Sequence, residues 1–74
     1  MNSFALDWTK KTAESVIVGY IKGRFTKEQL LLNCKTLGRK DLESILSSIK
    51  QFYGNLNWFK QEKFDEVRGL IIKD

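Results

Sequence analysis

The stretch Arg39 to Tyr53, RKDLESILSSIKQFY, decides the fold class of this 74-residue chain. Leu42, Ile45, Leu46, Ile49, Phe52 and Tyr53 recur in steps of three and four residues, which on a helix places them in one apolar stripe. Asp41, Glu43, Ser44, Ser47, Ser48, Lys50 and Gln51 occupy the other face, where water solvates them. Gly38 precedes the stretch and Gly54 follows it. The period is that of a helix and not the alternation of a strand, so the stretch reads as the central core helix.

On its N-terminal side, Thr26 and Gln29 have the spacing of a capping box, and Phe25 with Leu30 that of a hydrophobic staple. The helix they open carries the stripe Leu30, Leu31, Cys34 and Leu37, with Leu32 to one side. Gly38 is expected to end it and to lead directly into the central helix. Further upstream, a lead-in over residues 1–6 gives way to a helix capped by Ser3 or Asp7 and running to about Lys22. Its stripe is Ala13, Val16, Ile17, Tyr20 and Ile21, continued backwards by Thr9 and Leu6, while Val18 falls off it. Gly19 weakens that helix by about 1 kcal/mol relative to alanine, and its small size suits a close approach by another backbone. Gly23 suits the left-handed position past the last turn. On the C-terminal side, Asn55–Asn57 reads as a turn. Phe64, Val67, Leu70 and Ile71 then have helical spacing, with Asn57 as a cap. Gly69 and the β-branched Ile71–Ile72 pull against a helix, and a two-stranded β wing is the alternative over residues 58–73. The expected fold is all-α: a single domain over residues 1–74, a compact three- to four-helix bundle.

Composition narrows the chemistry. A domain this small buries only about 60% of its unfolded surface and commonly leans on disulfides, a metal or a partner. The only cysteine is Cys34 and there is no histidine, so an intramolecular disulfide and a protein-ligated zinc site are both out of reach. Cys34 lies on an apolar stripe and reads as a small core hydrophobe in a reducing compartment. No apolar run approaches the roughly 18–20 residues that span a bilayer. The first charges follow the first apolar residues, the reverse of a signal peptide. The expected location is the cytoplasm, with no membrane partner and no cofactor.

Without histidine, Cys–His and Ser–His nucleophilic pairs are absent. Asp41 with Glu43, and Glu62 with Asp65 and Glu66, are paired carboxylates. They fall on polar helix faces among lysines and read as solvated surface, because functional carboxylates need a pocket that a domain this small seldom holds. GYIKGR lacks the spacing and the Lys-Ser/Thr ending of a phosphate loop. The expectation is a protein that is not an enzyme.

The net charge of +4 is uneven. Trp8–Lys40 holds eight basic residues against two acidic ones, whereas Asp41–Asp74 holds five against six. Such asymmetry suggests a charged partner, although lysines also serve simply to solvate helix faces. A capped helix, a tight turn at Gly38 and a further helix make the outline of a helix-turn-helix. Lys10, Lys11, Lys35, Arg39 and Lys40 are the candidate DNA contacts, and the WFKQEKF segment a candidate wing. Against DNA, the outward face of Arg39–Tyr53 carries acids and serines in place of the Arg/Asn/Gln set that reads base edges. Protein binding has its own signal. Trp8, Tyr53, Trp58 and Phe59 are many large aromatics for so short a chain. Trp58 and Phe59, being adjacent, cannot both face one core line on a helix, so one is a candidate interface anchor. Burial of the apolar excess in a homodimer is the third option.

Gln29-Leu30-Leu31-Leu32-Asn33 resembles the Gln-Leu-x-Leu-Phe peptide with which bacterial proteins dock on the DNA sliding clamp, with Asn33 in place of the aromatic. Those peptides bind extended, whereas this stretch is expected to be helical. The chain as a whole is similar in kind to the small growth-inhibitory polypeptides of phages that infect Gram-positive bacteria, in its short length, its Lys/Ile/Asn/Phe-rich composition and its lack of a catalytic set. Some of those polypeptides bind the host clamp and stop DNA replication. The resemblance implies an inhibitor that occupies a surface of a larger bacterial protein in the host cytoplasm. The candidate partner-binding residues are Gln29, Leu32, Tyr53, Trp58, Phe59, Glu62, Asp65 and Glu66, the three acids being suited to the clamp's basic channel. The competing expectation is a small helix-turn-helix transcriptional regulator.

Overall fold

The computed structural model describes residues 2–72, with side chains from Thr9 onward. They form four helices: α1 (Asn2–Ile21), α2 (Lys27–Cys34), α3 (Arg39–Tyr53) and α4 (Gln61–Ile71). Among the described residues there is no strand, so the all-α bundle holds and the region of the possible wing contains α4 instead.

The stripes become one core. Ala13, Val16, Ile17, Tyr20 and Ile21 of α1 meet Leu30 and Cys34 of α2, Leu42, Ile45, Leu46 and Ile49 of α3, and Phe64 and Val67 of α4. α1 packs against all three other helices, whereas α2 touches α3 only slightly. The structural hub is therefore α1, although α3 has the cleaner pattern in sequence. Lys10 reaches Asp41 at the start of α3, and Lys22 reaches Trp58 just beyond its end, so α1 and α3 run in the same general direction. Lys50 near the end of α3 bonds Gln61 at the start of α4, which returns antiparallel.

Several local expectations are corrected. α1 begins at Asn2, so residues 2–6 are helix rather than lead-in, and Ser3 and Asp7 lie inside the helix instead of capping it. The side chains of Leu6 and Trp8 lie outside the described set. α2 ends at Cys34 and not at Gly38. Leu37 donates to the Cys34 carbonyl in a separate turn, and Gly38 is the N-cap of α3. Leu31 is 37% exposed, on the flank of its stripe. Lys60, not Asn57, precedes the first turn of α4, without a side-chain cap. Phe52 was read as core, yet it is 70% exposed. At about 100° per residue it stands at the edge of the α3 stripe, in the last turn, while Tyr53 beside it turns inward.

Other local signals hold. The Thr26–Gln29 capping box is formed in both directions, and Gly23 has φ +85°. Gly19 does permit a close approach, though by a side chain. The ring of Phe25 lies against it, where a Cβ would overlap Cδ2 and Cε2.

Candidate functional site

The basic residues do not form one face. Lys10 pairs with Asp41 at 3.6 Å, and Arg39 Nε donates to Glu43 Oε2 at 3.2 Å. Lys40 is exposed in the same first turn of α3. Lys35 and Arg39 line an apolar cleft of about 370 Å³ between α2 and α4, with Leu31, Cys34, Leu37, Leu42 and Ile72 among its walls. Burial pushes the Cys34 thiol from 9.0 up to about 11, which leaves about a hundredfold less thiolate at neutral pH than an ordinary cysteine has. This suits packing and not reactivity. Lys11, the fifth candidate DNA contact, lines a different cleft, with Lys22, Arg24, Phe25 and Tyr53.

The aromatic candidates form a row. Tyr53 and Trp58 have ring centroids 5.5 Å apart, Trp58 and Phe59 6.3 Å, and Phe59 and Phe64 5.4 Å. Trp58 and Phe59 occupy the connection between α3 and α4 rather than a helix. A loop can bend both inward, and both are half-buried against the core. Lys22 Nζ sits 4.4 Å from the Trp58 centroid and Lys50 Nζ 5.3 Å from that of Phe59. These contacts extend core burial outward and cover ring faces with cations.

On α4, Glu66 Oε2 accepts from the Tyr20 hydroxyl at 2.7 Å. That bond, then burial, then the charges of Glu66 and Glu28, raise the tyrosine pKa above its ordinary value. Asp65 accepts from Gln61 Nε2 at 2.9 Å, and Glu62 is exposed in the first turn. The three acids share one side of the helix by their spacing. Among the described residues, no group of three or more Cys, Asp and Glu is arranged to hold a metal ion.

The clamp-like pentapeptide is built into α2. Gln29 Oε1 accepts the Thr26 backbone N–H at 2.9 Å, its own N–H donates to Thr26 Oγ1 at 3.1 Å, and Asn33 Nδ2 donates to the Gln29 carbonyl at 2.8 Å. Leu30 is fully buried, and Leu32 projects furthest, 60% exposed, with Leu31 partly exposed beside it. An extended docking mode would require α2 to unfold.

Sequence reasoning missed two surfaces. The first is Phe52 with Leu56, 70% and 45% exposed on either side of the Gly54 turn. The edge position of Phe52 on the α3 stripe was its one sequence signal. The second is the set Lys11, Lys22, Arg24 and Lys60, which come together from α1, the α1–α2 connection and the end of the α3–α4 connection. No sequence spacing announces that set.

No family model, curated protein or solved structure matches this chain. No described helix is long and apolar enough to cross a membrane.

Proposed function

We propose that this chain is a non-enzymatic binding protein that acts by occupying a surface of a larger bacterial protein, with the DNA sliding clamp as the most specific version of that partner. The observation that carries the reading is the exposure of Phe52 and Leu56 beside a core that is otherwise closed. A large apolar side chain held in water by a well-formed helix is a ready interface anchor. Leu32 offers a further apolar contact on α2. The clamp version rests on the short sequence resemblance and on the phage-like character of the chain, and places the protein in the host cytoplasm. It must operate through the folded surface, because Gln29 and Leu30 are engaged within α2. Glu62, with Asp65 and Glu66 that already accept from Gln61 and Tyr20, forms an exposed acidic side of α4 for a basic partner surface.

A helix-turn-helix regulator is the weaker reading. Arg39, at the start of the would-be recognition helix, is paired with Glu43, and Lys10 is paired with the Asp41 carboxylate of that same turn.

Direct titration into a purified clamp from a Gram-positive bacterium tests the first reading, read by calorimetry and by size-exclusion chromatography. A stoichiometric complex that Phe52→Ala or Leu56→Ala weakens about tenfold or more is the expected result. Absence of a complex removes the clamp. A homodimer dispersed by the same substitutions would reassign the apolar surface to self-association.

A further inference from the structure

The geometry points to a binding groove for single-stranded nucleic acid that runs along α1 from Lys11 to the α1–α2 connection and on to Trp58. Two adjoining clefts, of about 410 and 440 Å³, share Lys22 and Arg24. Lys11 stands on the wall of one and Lys60 on the wall of the other. Glu14 is the one carboxylate lining either of them. Among the described residues none of these four cations makes an ion pair, in contrast to Lys10 and Arg39. Four cations against one carboxylate around a concave surface form an anion-attracting funnel.

The lining favours a single strand over other anions. Phe25, 37% exposed, and Tyr53 stand in the first cleft, and Trp58 and Asn57 in the second. Bases stack on aromatic faces while the backbone tracks the cations. Lys22 Nζ now rests 4.4 Å from the Trp58 centroid. When that ammonium moves to a phosphate it uncovers the indole face for a base. A duplex fits less well, because the aromatic rings in both clefts stack on unpaired bases, and a duplex keeps its bases stacked on one another. This ligand is additional to the protein partner proposed above and uses other residues.

The test is fluorescence anisotropy with a labelled oligothymidylate of about 15 nucleotides, a matched duplex and polyglutamate, together with Trp58 emission in a Trp8→Phe background. The expected result is single-strand binding that weakens about twenty- to fiftyfold as salt rises from about 50 to 200 mM, the fall for three or four phosphates. Lys22→Gln and Arg24→Gln each lower affinity several-fold and flatten the salt slope, whereas Lys10→Gln and Lys40→Gln leave both unchanged, and Trp58 emission is quenched on binding. No binding at the low salt, equal losses from Lys10→Gln and Lys22→Gln, a preference for the duplex, or equal affinity for polyglutamate would each overturn the assignment.

Discussion

The two ends of the bundle treat their positive charge differently. At the start of α3, Lys10 and Arg39 each face a carboxylate. At the far end Lys22, Arg24 and Lys60 line the cleft of Trp58, and no acid lines it. Along the chain the basic excess is one block from Trp8 to Lys40. In space α1 carries part of that block to each end, and acids contributed by α3 neutralise only one of them. A charge count by sequence segment therefore says little about where a field is strong, because neutralisation depends on which helix starts and ends are brought together.

The largest expected effect comes from the core that holds the ends apart. Leu46 in the middle of α3 is fully buried, and Leu46→Ala should cost about 2–5 kcal/mol in urea unfolding. If Trp58 emission and helix signal then melt at different urea concentrations, the two ends are not one cooperative unit.

A substitution confined to the charged end should come next. Gly19→Ala forces the Phe25 ring away and should destabilise by about 1–3 kcal/mol despite alanine's better helix propensity. In a Phe25→Ala background the same change should become neutral or stabilising. If it stays destabilising there, overlap with the ring is not its cause.

Thr26→Ala removes one half of the capping box and should cost about 1 kcal/mol in thermal or chemical melts. Because Thr26 borders the Arg24–Phe25 connection, this loss should also weaken any polyanion binding there while leaving the Lys10–Asp41 end unaltered.

The smallest effect is expected at the neutralised end. Lys10 and Asp41 are each about one-third exposed, so Asp41→Asn should change stability by less than about 0.5 kcal/mol. Its value lies in the comparison, since it leaves Lys10 without its carboxylate. If polyanion affinity then rises as much as it falls in Lys22→Gln, the ends differ only by that one acid and not by shape.

Much of the fold was legible in local pattern. The α3 boundaries, the α1 stripe and the Thr26–Gln29 box each rest on residues within one or two turns, where helix period and capping chemistry act. α4 was legible from Phe64 and Val67, although Gly69 and the Ile71–Ile72 pair argued against it. Tertiary burial of Phe64 and Val67 outweighs that propensity. The candidate site was less legible. Trp58 and Phe59 were read on helix geometry, and the loop they occupy lets both turn inward. Gln29 was read both as a cap and as a docking residue, and the structure has it bonded as a cap.

By itself the sequence determined the helices that became α1, α2 and α3, the opening of α2 at Thr26, and the exclusion of an intramolecular disulfide and a histidine-based site within these 74 residues, because residue type, period and caps act over a few residues. Only the tertiary structure decided that α1 and not α3 is the hub, that Phe52 faces water, and that Lys22, Arg24 and Lys60 meet around Trp58. Those outcomes depend on which helix ends become neighbours, and side chains brought together from separate elements leave no mark in the spacing of the chain.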